Sequence, residues 1–171
     1  MKSPCHRNLR FSLAFAGMAL SQCAFAAQDG KEADSAFLAF GPDQTIVDLN
    51  KVAWQPLELD GFPKGGEFAL LRGDMKHGAE LIARVPAGYQ VPSHNHTSNE
   101  TIIWLKGAFT YINGVDGKAV KMSGQAFASL PGNATPHSVR CGDEPCMFYL
   151  RFSRGFDYKI YPMPDKITPM N

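Results

Sequence analysis

The sequence predicts an all-β domain, folded as a sandwich or a closed barrel, on three observations. Short apolar stretches recur at residues 37–40, 45–49, 68–71, 81–85, 101–105, 109–112, 127–130 and 147–152. Gly, Pro, Asn and Asp separate them almost every time, and no segment keeps a helical period over three or four turns. Many short strands punctuated by turn residues argue for two packed sheets or one closed on itself, with helix scarce.

The first residues have another purpose. Lys2, Arg7 and Arg10 precede the apolar run 11–20, which gives way to small residues around Ala24-Phe25-Ala26. That is the layout of a secretory signal peptide over residues 1–26, cleaved after Ala26, which predicts a secreted protein of the bacterial periplasm. The apolar run is about ten residues, half the roughly twenty that a membrane-spanning helix needs, so no membrane span is expected once the signal is removed. Leu20-Ser21-Gln22-Cys23 leaves a lipoprotein as the alternative, with Gln22 where such boxes carry a small residue. Residues 27–35 are polar and read as a flexible lead-in, and residues 36–171 as a single domain.

Removing residues 1–26 takes away three of the 17 basic residues and no acidic one, leaving 14 against 16, a net charge near −2. Nothing in that balance suggests nucleic acid as a partner. The 145 residues that remain can bury a sizeable core. They keep two cysteines, Cys141 and Cys146, which in an oxidising compartment suggest one disulfide; a pair of buried free thiols is the alternative.

Two hairpins decide which side chains share a face. A turn at Lys106-Gly107 pairs Trp104 with Phe109, Ile102 with Tyr111 and Glu100 with Asn113, so that Glu100, Ile102, Trp104, Phe109 and Tyr111 lie on one face. A turn through Gly142-Asp143-Glu144-Pro145 sets Cys141 opposite Cys146 and pairs Val139 with Phe148 and His137 with Leu150. Ser138, Arg140, Tyr149 and Arg151 then take the outer face.

The chemistry is concentrated in residues 88–107. His94 and His96, separated by one residue, point the same way from an extended segment, and Glu100 lies an even number of residues further on, so the three can converge on one ion. Imidazole and carboxylate suit a divalent zinc, iron, manganese, nickel or copper ion, and a thiolate-selective site is not indicated. A lone His-x-His is most often a polar loop or surface pair. Nucleophile-elbow, phosphate-loop and dinucleotide patterns are absent, so serine acyl transfer, nucleotide binding and nicotinamide chemistry have no support.

The whole segment resembles the first motif of the cupin superfamily: Gly88, five residues, His94-x-His96, three residues, Glu100, six residues, Gly107. The second cupin motif is matched more loosely from Gly124 through Pro131-Gly132 to His137, with the Gly124–Pro131 and Pro131–His137 spacings each one residue longer, Gly132 directly after Pro131, and Cys141 where the family often has Asn. The resemblance implies a double-stranded β-helix, a jelly-roll barrel, with the core motifs at 88–107 and 124–141, and it carries the fourth metal ligand onto His137. Of the histidines left after signal removal, only His77 then lacks a role; it sits in the turn-like stretch 72–78 and reads as a solvated loop residue.

In such a barrel Ile102, Trp104, Phe109, Val139, Phe148 and Leu150 would surround the ion as an apolar pocket for a small molecule, and Tyr111 is the inward candidate for a catalytic proton or hydrogen bond. Trp54-Gln-Pro-Leu57, Leu71-Arg-Gly-Asp74, Pro86-Ala-Gly88, the stretch 141–148 and Phe156-Asp-Tyr-Lys159 narrow the resemblance to the ChrR-like cupins, one of which is the zinc-holding domain of an anti-sigma factor. Cupins include dioxygenases, isomerases, decarboxylases, lyases and pure binding proteins, so the fold does not fix the reaction. Two functions follow: a metal-dependent dioxygenase acting on an aromatic or diketone-like substrate, or a non-catalytic metal or small-molecule binding or sensing module of the cell envelope. A homodimer is implied by resemblance alone.

Overall fold

The structure, a computed structural model, describes residues 36–39 and 44–170. The expected signal peptide and lead-in lie outside the described residues. Fourteen strands follow in order: β1 (Phe37–Ala39), β2 (Thr45–Val47), β3 (Gln55–Pro56), β4 (Glu67–Asp74), β5 (Gly78–Val85), β6 (Gln90–Asn95), β7 (Glu100–Lys106), β8 (Phe109–Asn113), β9 (Lys118–Met122), β10 (Ala126–Leu130), β11 (His137–Cys141), β12 (Cys146–Phe152), β13 (Lys159–Ile160) and β14 (Thr168–Pro169). No helix occurs among the described residues, and none is therefore long and apolar enough to cross a membrane.

Two six-stranded sheets form the jelly roll, one ordered β10-β7-β12-β5-β4-β3 and the other β13-β6-β11-β8-β9-β14, while β1 and β2 pair separately. Among the described ladders β14 runs parallel to β9 and the rest are antiparallel. Ile102 and Trp104 from the first sheet meet Phe109 and Val139 from the second in the main core, alongside Val85, Tyr89 and both cysteines. A second cluster, in which Ala36 and Val52 pack on Ala69 and Ile82, sets the N-terminal segment against β4 and β5.

Neither expected hairpin forms. β7 pairs with β10 and β12, and β8 with β9 and β11, so the chain passes from one sheet to the other at Lys106-Gly107-Ala108. The same holds between β11 and β12. The reason lies in the large apolar residues on both sides of each turn. Trp104 and Phe109, placed across the core instead of beside one another, stack face to face at 4.2 Å with 6° between their planes and bury both rings almost completely. Gly107 makes the crossing with φ +85°, where a Cβ would come within 2.7 Å of Pro145 O. Strands in opposite sheets turn the same alternate residues inward, so the expected sharing of an inner face by Ile102, Trp104 and Phe109 holds although the pairing behind it does not.

Cys141 and Cys146 form a disulfide with Cα atoms 5.9 Å apart, which removes the free-thiol alternative and links the two sheets. Ser138, expected outside with Arg140 and Arg151, is fully buried. Its hydroxyl donates to Val91 O at 2.6 Å, so the neighbouring strand satisfies it.

Candidate metal centre

Each functional side chain reaches the interior by a different route. On β6, Val91 pairs with Val139 and His94 with His137, so Pro92 and Ser93 together oppose Ser138 in a β-bulge. Proline suits such a position because its missing N–H is not needed there. The extra residue is what lets Val91 and His94, three apart, both face the cavity between the sheets. His96 lies just past the end of β6 and Glu100 opens β7 in the opposite sheet, while His137 opens β11. The three first-motif residues thus do not sit on one extended segment, since the chain changes sheets through Thr97-Ser98-Asn99.

The loop before His137 accommodates the longer second motif through specific bonds. Asn133 adopts φ 58° and its N–H donates to His96 O at 2.7 Å. Gly132 N–H donates to Asn99 Oδ1 at 2.8 Å, and a Cβ on Gly132 would stand 2.2 Å from Thr97 O. The extra residues are therefore folded against the crossing that carries His96 and Glu100.

Ligand atoms of His94, His96 and Glu100 lie within 4.8 Å of one another. His137 is outside that tight set of three, but its Nε2 is 3.4 Å from Glu100 Oε2, against 3.6 Å for His96 Nε2, and its ring centroid is 4.5 Å from that of His94. All four are buried, none more than 6% exposed. His94 Nδ1–H donates to Pro92 O at 2.8 Å and His96 Nδ1–H to Asp157 O, which leaves the Nε2 of each ring free to donate a lone pair.

The donor set fits a divalent ion. His96 Nε2 and Glu100 Oε2 are buried without a hydrogen-bond partner, an arrangement that costs free energy unless something else occupies the space between them. Burial pushes the Glu100 carboxyl up to about 8 and lowers all three imidazoles. His94 falls to about 4, through burial and then the neighbouring His96; His137 falls to about 3, through burial and then His94 and His96. Burial also lowers His96, opposed by its bond to Asp157. Neutral imidazoles are the form in which histidine binds metal, and a cation among them would draw the proton from Glu100.

The cavity beside these residues holds about 350 Å³. Ile102, Trp104, Val139, Phe148 and Leu150 line it, whereas Phe109 does not: it is stacked behind Trp104. Tyr111 is also off the wall, its ring parallel to that of His137 with centroids 5.7 Å apart. Burial and the Glu100 charge push its hydroxyl up to about 12. His77 stands apart on an exposed turn, its ring 3.0 Å from Asp74 Oδ1.

Much of the remaining wall comes from a segment not assigned to the pocket from the sequence. Gln55, Leu57, Glu58, Leu59 and Phe62 run past the cavity from β3 onward, held by Leu57 N–H to Gly66 O at 2.8 Å and Tyr89 Oη to Pro63 O at 2.7 Å. Phe62 packs edge-on against His94 at 5.6 Å. Phe156 closes another side, 5.4 Å from the His96 ring. The sequence signal for this wall was confined to the ChrR-like pieces at 54–57 and 156–159, and Phe62 lay in neither.

The sequence profile of the ChrR cupin-like domain family matches residues 42–153. The chain belongs to this cupin family. Among solved structures, this cupin is similar to the polyketide cyclase RemF from Streptomyces resistomycificus, with TM-score 0.54 and 15% identity over 68% of this chain and 84% of the other. It is also similar to a cupin 2 conserved barrel domain protein from Rhodopseudomonas palustris, with TM-score 0.53 and 14% identity over 74% and 86%. A third similar structure is the cupin-2 domain protein Rru_A2000 from Rhodospirillum rubrum, with TM-score 0.52 and 16% identity over 65% and 76%. Identities this low speak for the fold alone. Among curated proteins no significant match is found.

Proposed function

We propose that this cupin is an exported protein that holds one divalent metal ion through His94, His96, Glu100 and His137 and acts on a small, largely apolar molecule as a dioxygenase. The observation that carries the reading is the junction of four buried donor residues with a 350 Å³ cavity whose other walls are mostly hydrocarbon. A divalent ion held there would supply Lewis-acid chemistry, and an iron, manganese, nickel or copper ion would add the redox chemistry that zinc lacks. The chain supplies the rest. Pro92 O and Asp157 O orient two imidazoles, Glu100 gives a carboxylate once deprotonated, and Trp104, Phe62 and Phe156 keep water from the site and offer flat surfaces to a ring.

The polarity of the wall restricts the substrate. Among the described residues, and apart from the four candidate ligands and the indole N–H of Trp104, Glu58 and Gln55 are the only lining residues with polar side chains, and both lie on the 55–62 segment. A sugar or nucleotide would leave several buried groups unpaired, whereas an aromatic or diketone-like molecule needs its polar end met only at the metal. Dioxygenation consumes one O2 per substrate and places both atoms in the products. Oxygen uptake by metal-loaded protein, tested with diketones and phenolic ketones, is the experiment. Neither uptake nor turnover with any of them would sink the dioxygenase reading.

A second reading is a non-catalytic metal or small-molecule binding module of the cell envelope. It is favoured by one observation: with Tyr111 off the wall, Glu58 is, among the described residues, the only ionisable lining residue outside the four candidate ligands. A saturable ligand-induced change in Trp104 fluorescence without turnover is its signature. Export is supported by the Cys141–Cys146 disulfide. A homodimer is our proposal for the solution state, measured by light scattering.

A further inference from the structure

Among the four candidate ligands, His96 is the one that no strand holds, because β6 ends at Asn95 and β7 begins at Glu100. The others sit on strands. His94 donates to the carbonyl two residues before it, and His137 and Glu100 sit in ladder register on β11 and β7. His96 depends on a carbonyl 61 residues away in sequence, that of Asp157. That carbonyl lies in the stretch between β12 and β13, outside any ladder.

What fixes it is the side chain of the same residue. Thr97 N–H donates to Asp157 Oδ1 at 2.8 Å and Thr97 Oγ1–H to Asp157 Oδ2 at 2.6 Å. The residue following His96 is thus clamped by both carboxylate oxygens, while the peptide oxygen of Asp157 accepts the hydrogen bond from His96 Nδ1–H. The loop is closed: carboxylate to Thr97, Thr97 to His96 by one peptide bond, His96 back to Asp157. A carboxylate accepting two bonds in this fork holds direction as well as distance.

We propose that Asp157 is a positioning residue of the metal centre, whose carboxylate clamp on Thr97 keeps its carbonyl opposite His96 Nδ1 and so aims His96 Nε2 at Glu100. The inference rests on the metal-binding reading above and adds a residue from outside both sequence motifs. Partners that orient a ligating histidine through its second nitrogen influence metal affinity without touching the ion.

The test uses the mature protein with zinc as the probe metal, affinity being measured by competition with a chromogenic chelator. Asp157→Ala weakens zinc binding about ten- to a hundredfold. Thr97→Val, which removes one of the two bonds, weakens it less, and Asp157→Asn falls between. Asp48→Ala is the matched control, because Asp48 Oδ1 accepts from Asn50 N–H at 3.0 Å in the N-terminal segment, which does not line the cavity; it leaves affinity unchanged.

Long-range proton–nitrogen correlation in the metal-free protein gives the second readout, which a general loss of stability would not move. Wild type shows His96 as the Nδ1–H tautomer, and Asp157→Ala shows a mixture. Unchanged affinity and tautomer in Asp157→Ala overturn the proposal, as does the same result in both Asp157→Asn and Thr97→Val where the alanine variant fails to fold. Wild-type protein that takes up no zinc overturns the metal reading instead, and the tautomer measurement then decides the positioning role by itself.

Discussion

Glu100 shows how one buried side chain sets the terms on which a metal can enter. Its carboxyl, raised to about 8 by burial, keeps its proton near neutral pH in the metal-free protein, and a ligating carboxylate must lose it. Uptake of a divalent ion at pH 7 therefore releases about one proton, and affinity rises about tenfold per pH unit up to pH 8 before levelling off. Calorimetry in buffers of different ionisation enthalpy counts that proton, and a release of zero contradicts the assignment. His96→Ala loses most of the metal and His77→Ala none, since the His77 ring is exposed, faces Asp74 and does not line the cavity; equal metal content in both variants excludes the site. The gathering of His94, His96 and Glu100 was legible because their spacing recurs as one compact motif. Phe62 was not, and Asp157 stood only inside the ChrR-like piece 156–159 with no role attached, because their part in the site comes from folding, which brings segments from both ends of the domain onto His96 and His94.

The strands teach the same lesson at the next scale. Eight of the fourteen strands were legible as apolar stretches between turn residues, but β6 was not. Gln-Val-Pro-Ser-His-Asn carries little apolar signal, since its inward side is given to a ligand and its proline sits in a bulge. The two turns were read as hairpins because short Gly-containing turns usually are, and alternation within a strand is the same whether its partner lies beside it or across the core. The Cys141–Cys146 bridge spans one of these crossings. It closes a loop of only five or six residues, so the entropy it removes from the unfolded chain is modest, about 2 kcal/mol. Treatment with reductant lowers the melting temperature by several degrees and leaves metal content unchanged, because the bridge lies at the opposite end of β11 and β12 from His137 and Phe152. Loss of metal on reduction contradicts the independence of the two ends.

Across the whole molecule, the centre makes metal-free stability a function of pH with opposite limbs. Glu100 has its folded value raised from 4.5 to about 8, so the stability it contributes is complete below 4.5 and is lost as pH rises to 8. His94 and His137 are lowered from 6.5 to about 4 and about 3, so theirs is complete above 6.5 and is lost as pH falls toward 4 and 3. Between 4.5 and 6.5 the limbs overlap, and at least two imidazoles outweigh one carboxyl, so stability still climbs with pH. Above 6.5 only the carboxyl remains in play and stability declines. The contribution of the centre to metal-free stability is therefore greatest near pH 6.5, with the steeper fall on the acid side. A bound ion takes Glu100 as carboxylate, which removes the alkaline limb and deepens the acid one, because protonating a ligand now also costs the metal. Melting temperatures from pH 4 to 9, with and without one equivalent of zinc, trace both curves. Parallel curves would mean that the buried tetrad does not meet the ion, and an alkaline limb that disappears only with zinc would place the ion on Glu100.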